Sequence, residues 1–437
     1  MFNLSSKHEE VQTSLSTFEE LKKLLHDAVI EEYEQEPTAL LSSNVLEKIS
    51  ALCSEIPQFN QSSFNQHQQE QVVQAVFDEI QGLGPIAQFM LDDQVSDILI
   101  NDTQDIWIDK QGKLLCTASK FDDERHLRRF VDRLLDGCGR QVNALMPIVD
   151  GKLKDGSRVH IIVPPACTSA AIVSIRKFNH KKINDDFLVN NHFLDKNILS
   201  FLKSAVKTGV NILVCGNAGA GKTSLLNVLA NSINPNERVV TIEESAELNL
   251  HHNHVVQLEA HDTNSDGKGA VSLRDLVKAA LRMRADRILV GEVRSGEVRS
   301  GEVIDMLQAM NCGHQGSMTT IHANSANDAV IRLSTLVQLH NAQLSDTHTS
   351  SLIASSIQLI VHVSRSTNGT RTLKSIGEIK RVNGGAHFSP LYSINEAEPV
   401  QSELIDNSSV IEFMKGQGAN AKELKALLHN NSEANND

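Results

Sequence analysis

Apolar residues recur at helical spacing in some stretches of this chain and fill short unbroken runs in others, and the order of the two patterns outlines the fold. Near the start, Leu21, Leu24, Leu25, Val29 and Ile30 fall at helical spacing in a background rich in Glu, Gln and Ser. The Gln- and Asn-rich piece from Gln58 to Gln71 reads as a linker or a solvated helix face. Residues 1–70 are therefore expected to form a helical, partly disordered extension. The pattern changes at about residue 71. Val72 to Ile80 has helical spacing and is stopped by Gly82-Leu83-Gly84-Pro85. Val95 to Ile100 and Ile106 to Ile108 are strand-like and separated by turn residues, with Leu114 to Cys116 a possible third strand. A helix is expected over Asp123 to Leu135, followed by strands at Val159–Val163 and Ala171–Ile175. Residues 71–178 thus predict a small α+β domain.

The polar stretch Asn179 to Asp186 marks a linker, placed at 179–190. Beyond it, from 191 to 400, apolar strands alternate with helical segments, which predicts an α/β domain with a mainly parallel sheet covered on both faces. Residues 401–437 are polar and read as a tail, with Asn430 to Asp437 expected to be disordered.

Composition narrows the picture only modestly. The 437 residues suffice for two or three domains, and 40% hydrophobic with 22% charged content is ordinary for a globular protein. A net charge of −13, with one Trp and two Tyr, argues against a general nucleic-acid binder. The six cysteines show no CxxC pairing, so reduced thiols are expected and a zinc site is not. The segment Met1 to Glu10 lacks the apolar core of a signal peptide, and no apolar run approaches the ~18 residues of a membrane span. A cytoplasmic protein that meets the membrane only through partners is the expectation.

The candidate chemistry begins at Gly216-Asn217-Ala218-Gly219-Ala220-Gly221-Lys222-Thr223, which fits the phosphate-loop pattern G-x-x-x-x-G-K-[ST]. The flanks give the pattern its meaning: Asn211 to Cys215 suits a buried strand, and Ser224 to Ala230 continues at helical spacing. Glycines let backbone N–H groups curl around phosphates, and the helix start adds a favourable dipole. Lys222 is expected to reach the β- and γ-phosphates of ATP, and the Thr223 hydroxyl to bind Mg²⁺, with Ser224 completing the loop. Glu292 ends the apolar strand Asp286 to Val290 and is the candidate acid for the magnesium shell. Glu243, after Val239 to Ile242, is the candidate to polarise the attacking water. His322, after Thr319 to Ile321, is the candidate to sense the γ-phosphate, and His314 is a weaker one.

At these residues the chain resembles the secretion ATPases of type II and type IV systems, most closely the tight-adherence (Flp) pilus assembly branch. The resemblance runs from about residue 78 to 395. It rests on Gly82-Leu83-Gly84-Pro85, on Asp150 to Val159, and on Ser174-Ile175-Arg176-Lys177-Phe178. In the second half it rests on the "Asp box" Thr241-Ile242-Glu243-Glu244, on Leu281-Arg282-Met283-Arg284 and on Gly291-Glu292-Val293-Arg294. The "His box" from Gly313-His314 to His322-Ala323-Asn324 completes it. The resemblance implies a RecA-type P-loop motor and a homo-hexameric ring of two-domain subunits. It further implies nucleotide between the domains, service to an inner-membrane platform protein, and phosphate contacts from Arg158 and Arg176.

Three departures stand out. Lys152 replaces the family's usual arginine, and the Asp box ends in Glu244. Third, Gly291-Glu292-Val293-Arg294-Ser295 is repeated as Gly296-Glu297-Val298-Arg299-Ser300 before Gly301-Glu302-Val303. Read from the strand side Glu292 is the metal-proximal acid, and read from the helix side Glu297 inherits the position. The buried strand Ile288-Leu289-Val290 pins the register in favour of Glu292. Alternatives to an assembly motor are a type IV secretion or retraction motor, or a scaffold whose hydrolysis the repeat has impaired.

Overall fold

The computed structural model of the protein describes residues 18, 20–26, 28, 29, 31, 32, 45–57, 59, 64–80, 83–178, 183–261, 269–293, 301–341, 343–366, 368–394 and 400–429. The chain divides into two compact units, Met1–His180 and Lys181–Asp437.

In the first unit, the helices Val45–Glu55 and Gln66–Ile80 pack together around Leu25, Val29, Ile49, Cys53, Val72 and Val76. A separate core belongs to a six-stranded antiparallel sheet. Its strands are β1 (Val95–Asp102), β2 (Asp105–Lys110), β3 (Lys113–Cys116), β4 (Ile148–Lys152), β5 (Arg158–Ile162) and β6 (Ile172–Arg176), in the order β3-β2-β1-β6-β5-β4. Alternate residues point to one face, so Ile98, Ile100, Val159, Ile161, Val173 and Ile175 share a core with Leu127, Phe130, Val131 and Leu134 of the helix Glu124–Cys138. That helix starts where the Asp123 carboxylate accepts from the His126 N–H, and ends at Gly139, whose φ of +64° terminates it.

The second unit is an eight-stranded sheet. Its strands are β7 (Ile212–Gly216), β8 (Val239–Glu243), β9 (Val255–Glu259), β10 (Arg287–Val293), β11 (Met318–His322), β12 (Leu359–Arg365), β13 (Arg371–Val382) and β14 (Gly385–Ser393). Their order is β14-β13-β12-β7-β11-β10-β8-β9. From β12 to β9 every neighbouring pair is parallel, whereas β13 and β14 add an antiparallel edge. Two cores explain why the strands read as unbroken apolar runs. Ile212 and Val214 face the helices Lys196–Lys207 and Lys222–Ala230, and Leu213 and Cys215 face Glu302–Asn311 and Ala326–His340. This is the α/β fold with a mainly parallel sheet, covered on both faces, that the sequence leads one to expect.

Two local expectations need correction. Residues 185–190 of the expected linker form the helix Asp185–Asn190, capped by the Asn184 side chain. The expected polar tail contains the helices Ser402–Asp406, Ser409–Gly416 and Ala421–His429, and Ile405, Val410, Ile411, Met414, Leu424 and Leu428 join the main core. Polar composition hid an apolar stripe at helical spacing. The fully buried Glu378 of β13 anchors this segment by accepting from the Ser408 and Ser409 hydroxyls and the Val410 N–H. Among the described residues, no helix is long and apolar enough to cross a membrane.

Candidate active site

The parallel strands all end on one edge of the sheet, where the connection from β7 must turn into the helix Lys222–Ala230. Gly216, at the end of β7, is in register with His322 of β11 on one side and Val363 of β12 on the other. Packing is so close that a Cβ on Gly216 would lie 2.2 Å from the Val363 carbonyl oxygen. Gly219 and Gly221 adopt φ of +68° and +93°, the left-handed region a side chain disfavours, and so wrap the loop over the helix start. Ala218 and Gly219 are exposed, Ala220 is buried, and Thr223 and Ser224 of the first helical turn are half-buried. Such a nest of backbone N–H groups at a helix start is built to receive phosphate oxygens.

Asn217 pins this loop to the neighbouring strand. Its side-chain amide donates to the Arg365 carbonyl at 3.1 Å and accepts from the Arg365 N–H at 3.0 Å. Behind the loop, burial pushes the Cys215 thiol up to about 12, which leaves it inert beside Lys222.

Lys222, Glu292 and His322 meet at the ends of three elements. The buried Lys222 ammonium donates to the Gly216 and Asn217 carbonyls, each at 3.3 Å, and to His322 Nδ1 at 3.2 Å. His322 Nε2 lies 2.7 Å from Glu292 Oε1, which is itself 4.0 Å from the Lys222 Nζ. Because an ammonium can only donate, Nδ1 accepts, which leaves the proton of a neutral ring on Nε2, the nitrogen near the carboxylate. A bulge explains how Glu292 reaches the histidine. Val290 pairs with Thr319 and Val293 with Ile321, so β10 carries one extra residue at Gly291-Glu292. The Thr320 hydroxyl locks the bulge by donating to the Gly291 carbonyl at 2.7 Å.

Glu243, the candidate to polarise water, ends β8, the strand next to β10. It is buried, and its carboxylate accepts from the Glu247 N–H at 3.0 Å and the Leu248 N–H at 3.1 Å, tying the following segment back to the end of β8. It also presses on the bulge: a Cβ on Gly291 would lie 2.8 Å from Glu243 Cγ. His314 stands at the opposite end of β11 from His322, where its Nδ1 lies 2.7 Å from the Ala285 carbonyl oxygen. Residues 294–300, with Glu297, lie outside the described residues. The third Gly-Glu-Val copy opens the helix Glu302–Asn311, where burial, with Glu244 nearby, raises the Glu302 carboxyl above the usual range.

In the first unit, Arg158 and Arg176 are directly opposed on β5 and β6. They belong to a row in which Lys152 faces Arg158 across β4–β5 and Asp97 faces Arg176 across β1–β6. All four occupy the face away from the core helix, since the neighbouring Val159 and Ile175 are the buried ones. Arg176 Nε donates to Asp97 Oδ1 at 3.1 Å.

Sequence reasoning did not single out Arg365 and Arg371. They end β12 and begin β13, and they oppose each other across the hairpin. Their one local signal was Asn368-Gly369 between two strand-like runs, a hairpin turn flanked by arginines.

A family model described as Type II/IV secretion system protein matches residues 79–397. A Mycobacterium tuberculosis protein named for conjugal transfer is 34% identical over 312 residues, covering 70% of this chain and 87% of that protein. The type IV secretion system protein PtlH of Bordetella pertussis is 32% identical over 297 residues, covering 62% and 86%. The crystal structure of the VirB11 ATPase from the Brucella suis type IV secretion system, in complex with sulphate, is 25% identical and covers 68% of this chain and 96% of that one, with a TM-score of 0.37.

Proposed function

Because the chain belongs to the type II/IV secretion system protein family, we propose that it is an ATP-hydrolysing motor that drives assembly of a tight-adherence (Flp) pilus. In this reading it works as a homo-hexamer on the cytoplasmic side, through an inner-membrane platform protein. The observation that carries the hydrolytic part is the convergence of Lys222, His322 and Glu292 beside the glycine turns of a phosphate loop.

The chemistry follows from that convergence. Phosphate oxygens compete for the Lys222 ammonium, which then leaves the Gly216 and Asn217 carbonyls for a full charge. Thr223 and Glu292 fit as the groups that hold Mg²⁺, a hard cation served by a hydroxyl, a carboxylate and substrate oxygens. Bound there, the ion would neutralise charge on the β- and γ-phosphates. Glu292 is suited to orient water by accepting its proton, and His322 links that carboxylate to Lys222. Loss of the γ-phosphate therefore reaches the acid through one imidazole. Glu243 acts as a positioning residue that fixes the bulge. Arg158 and Arg176 are assigned to phosphate contact, as the resemblance implies.

A type IV secretion motor is the second reading, favoured by relatives named for type IV secretion and conjugal transfer. A nucleotide-dependent scaffold is the third, favoured by the inserted Gly296 to Ser300. Steady-state Mg-ATP hydrolysis over a range of protein concentrations, for the full chain, Lys222→Ala and a variant lacking Gly296 to Ser300, separates them. Turnover per subunit that rises with concentration and vanishes in Lys222→Ala supports an assembled motor. Silence in the full chain with activity in the deletion variant supports the scaffold.

A further inference from the structure

We propose that Arg365 and Arg371, at the base of the β12–β13 hairpin, are nucleotide-binding residues that grip the phosphate chain from the side of the sheet opposite Glu292. This rests on the reading of the phosphate loop as an ATP site and adds two residues to it.

Topology brings them there. β12 runs parallel to β7 and pairs with it, so its C-terminal end emerges on the same sheet edge as the phosphate loop. Glu292 and His322 approach from β10 and β11, on one side of β7, and Arg365 approaches from β12, on the other. The Asn217 clamp then fixes the place of Arg365 within the site, because both of its bonds go to the Arg365 backbone. The Arg365 guanidinium lies against the exposed Gly219 turn. A Cβ on Gly219 would sit 3.2 Å from Arg365 Nη1, and one on Gly221 would sit 3.8 Å from Arg371 Cδ.

Charge supplies the second line of argument. Arg365 and Arg371 are cross-strand partners, and like charges directly opposite one another destabilise a sheet. Arg365 makes no ion pair among the described residues, whereas Arg176 in the first unit is met by Asp97. Hydrogen bonds of Ser366 and Thr370 close the hairpin tip and hold the two arginines opposed: the Ser366 N–H donates to the Thr370 carbonyl at 2.9 Å. An arginine beside the glycine turns of a phosphate loop, with a second opposite it on the neighbouring strand, matches an oxyanion chain. Planar forks of this kind hold phosphate oxygens in pairs.

The test is displacement of a fluorescent ADP analogue from the full-length protein by ATP, ADP and inorganic tripolyphosphate. Arg365→Gln, Arg371→Gln and Arg365→Lys are compared with wild type and with Lys222→Ala. The Gln variants leave the backbone clamp to Asn217 intact, and equal melting temperatures check that they fold. Loss of a charge-assisted contact should weaken ATP, ADP and tripolyphosphate alike, by about tenfold or more, with Arg365→Lys intermediate. Unchanged affinity in both Gln variants, with wild type binding and Lys222→Ala failing, overturns the proposal and leaves the ATP site standing. Weakened ADP with undiminished tripolyphosphate also overturns it, since the contact is then to base or ribose. Wild type that binds no nucleotide removes the ATP site and this proposal with it.

Discussion

Two pairs of arginines face each other across neighbouring strands in this molecule, Arg158 with Arg176 and Arg365 with Arg371, and their charges are met in different ways. In the first unit the pair belongs to a row across four strands that begins at Lys152 and ends at Asp97, and Arg176 is 70% exposed. Water and an acid already moderate that charge. In the second unit Arg365 is half-buried beside Gly219 and has no acid in ion-pair reach among the described residues. An opposed pair compensated within its own sheet can persist without a ligand. An arginine with no acid in reach among the described residues, set beside N–H groups that carry the same sign of partial charge, calls for an anion. In the proposed reading, Arg365 carries resting affinity for nucleotide, and Arg158 and Arg176 act on turnover.

Substitutions can break or sharpen that contrast. The largest effect is expected at Glu292, which neither pair can replace: Glu292→Gln should cut steady-state turnover by roughly 10²–10⁴-fold while ATP affinity survives. If affinity falls in parallel, the carboxylate is holding the loop rather than serving the reaction. Arg365→Gln should come next, weakening ATP about tenfold or more. Arg158→Gln and Arg176→Gln should slow turnover while leaving the affinity of the isolated subunit nearly unchanged. Equal affinity losses in both pairs would erase the distinction drawn from Asp97.

Smaller effects calibrate the comparison. Leu424→Ala, in the C-terminal helix that joins the main core, should cost about 2–5 kcal/mol in stability, read by denaturant melts, with turnover per folded molecule unchanged. The least is expected of Asp97→Asn, which removes an exposed ion pair worth under about 1 kcal/mol. A melting temperature that collapses in Asp97→Asn would show that the cationic row depends on its acid far more than exposure suggests.

How much of this was legible in the chain depended on how local the determining physics is. The phosphate loop was readable because its glycines and lysine answer a local backbone demand, here the positive φ of Gly219 and Gly221. The ends of β7, β10 and β11 were readable because strands buried on both faces leave unbroken apolar runs. Glu292 was singled out for ending such a run, but its approach to His322 depends on a bulge that sequence alone does not announce. Glu243 looked equally chemical. Its use as an acceptor for the Glu247 and Leu248 N–H groups comes from the path of the chain after β8, which strand patterning does not encode. Arg365 escaped notice because its meaning depends on β12 pairing with β7, across more than half the length of the second unit. The C-terminal helices were masked by composition, since a few apolar residues at helical spacing can dock a segment that is otherwise polar.

The central claim is that Lys222, His322 and Glu292 form one hydrolytic site, and phosphate release from Mg-ATP under single-turnover conditions tests it most directly. Wild type, Glu292→Gln and His322→Ala should all bind ATP, with phosphate release fast only in wild type. Release at the wild-type rate from Glu292→Gln would contradict the account, and would move the acid to Glu297 or elsewhere in the repeat.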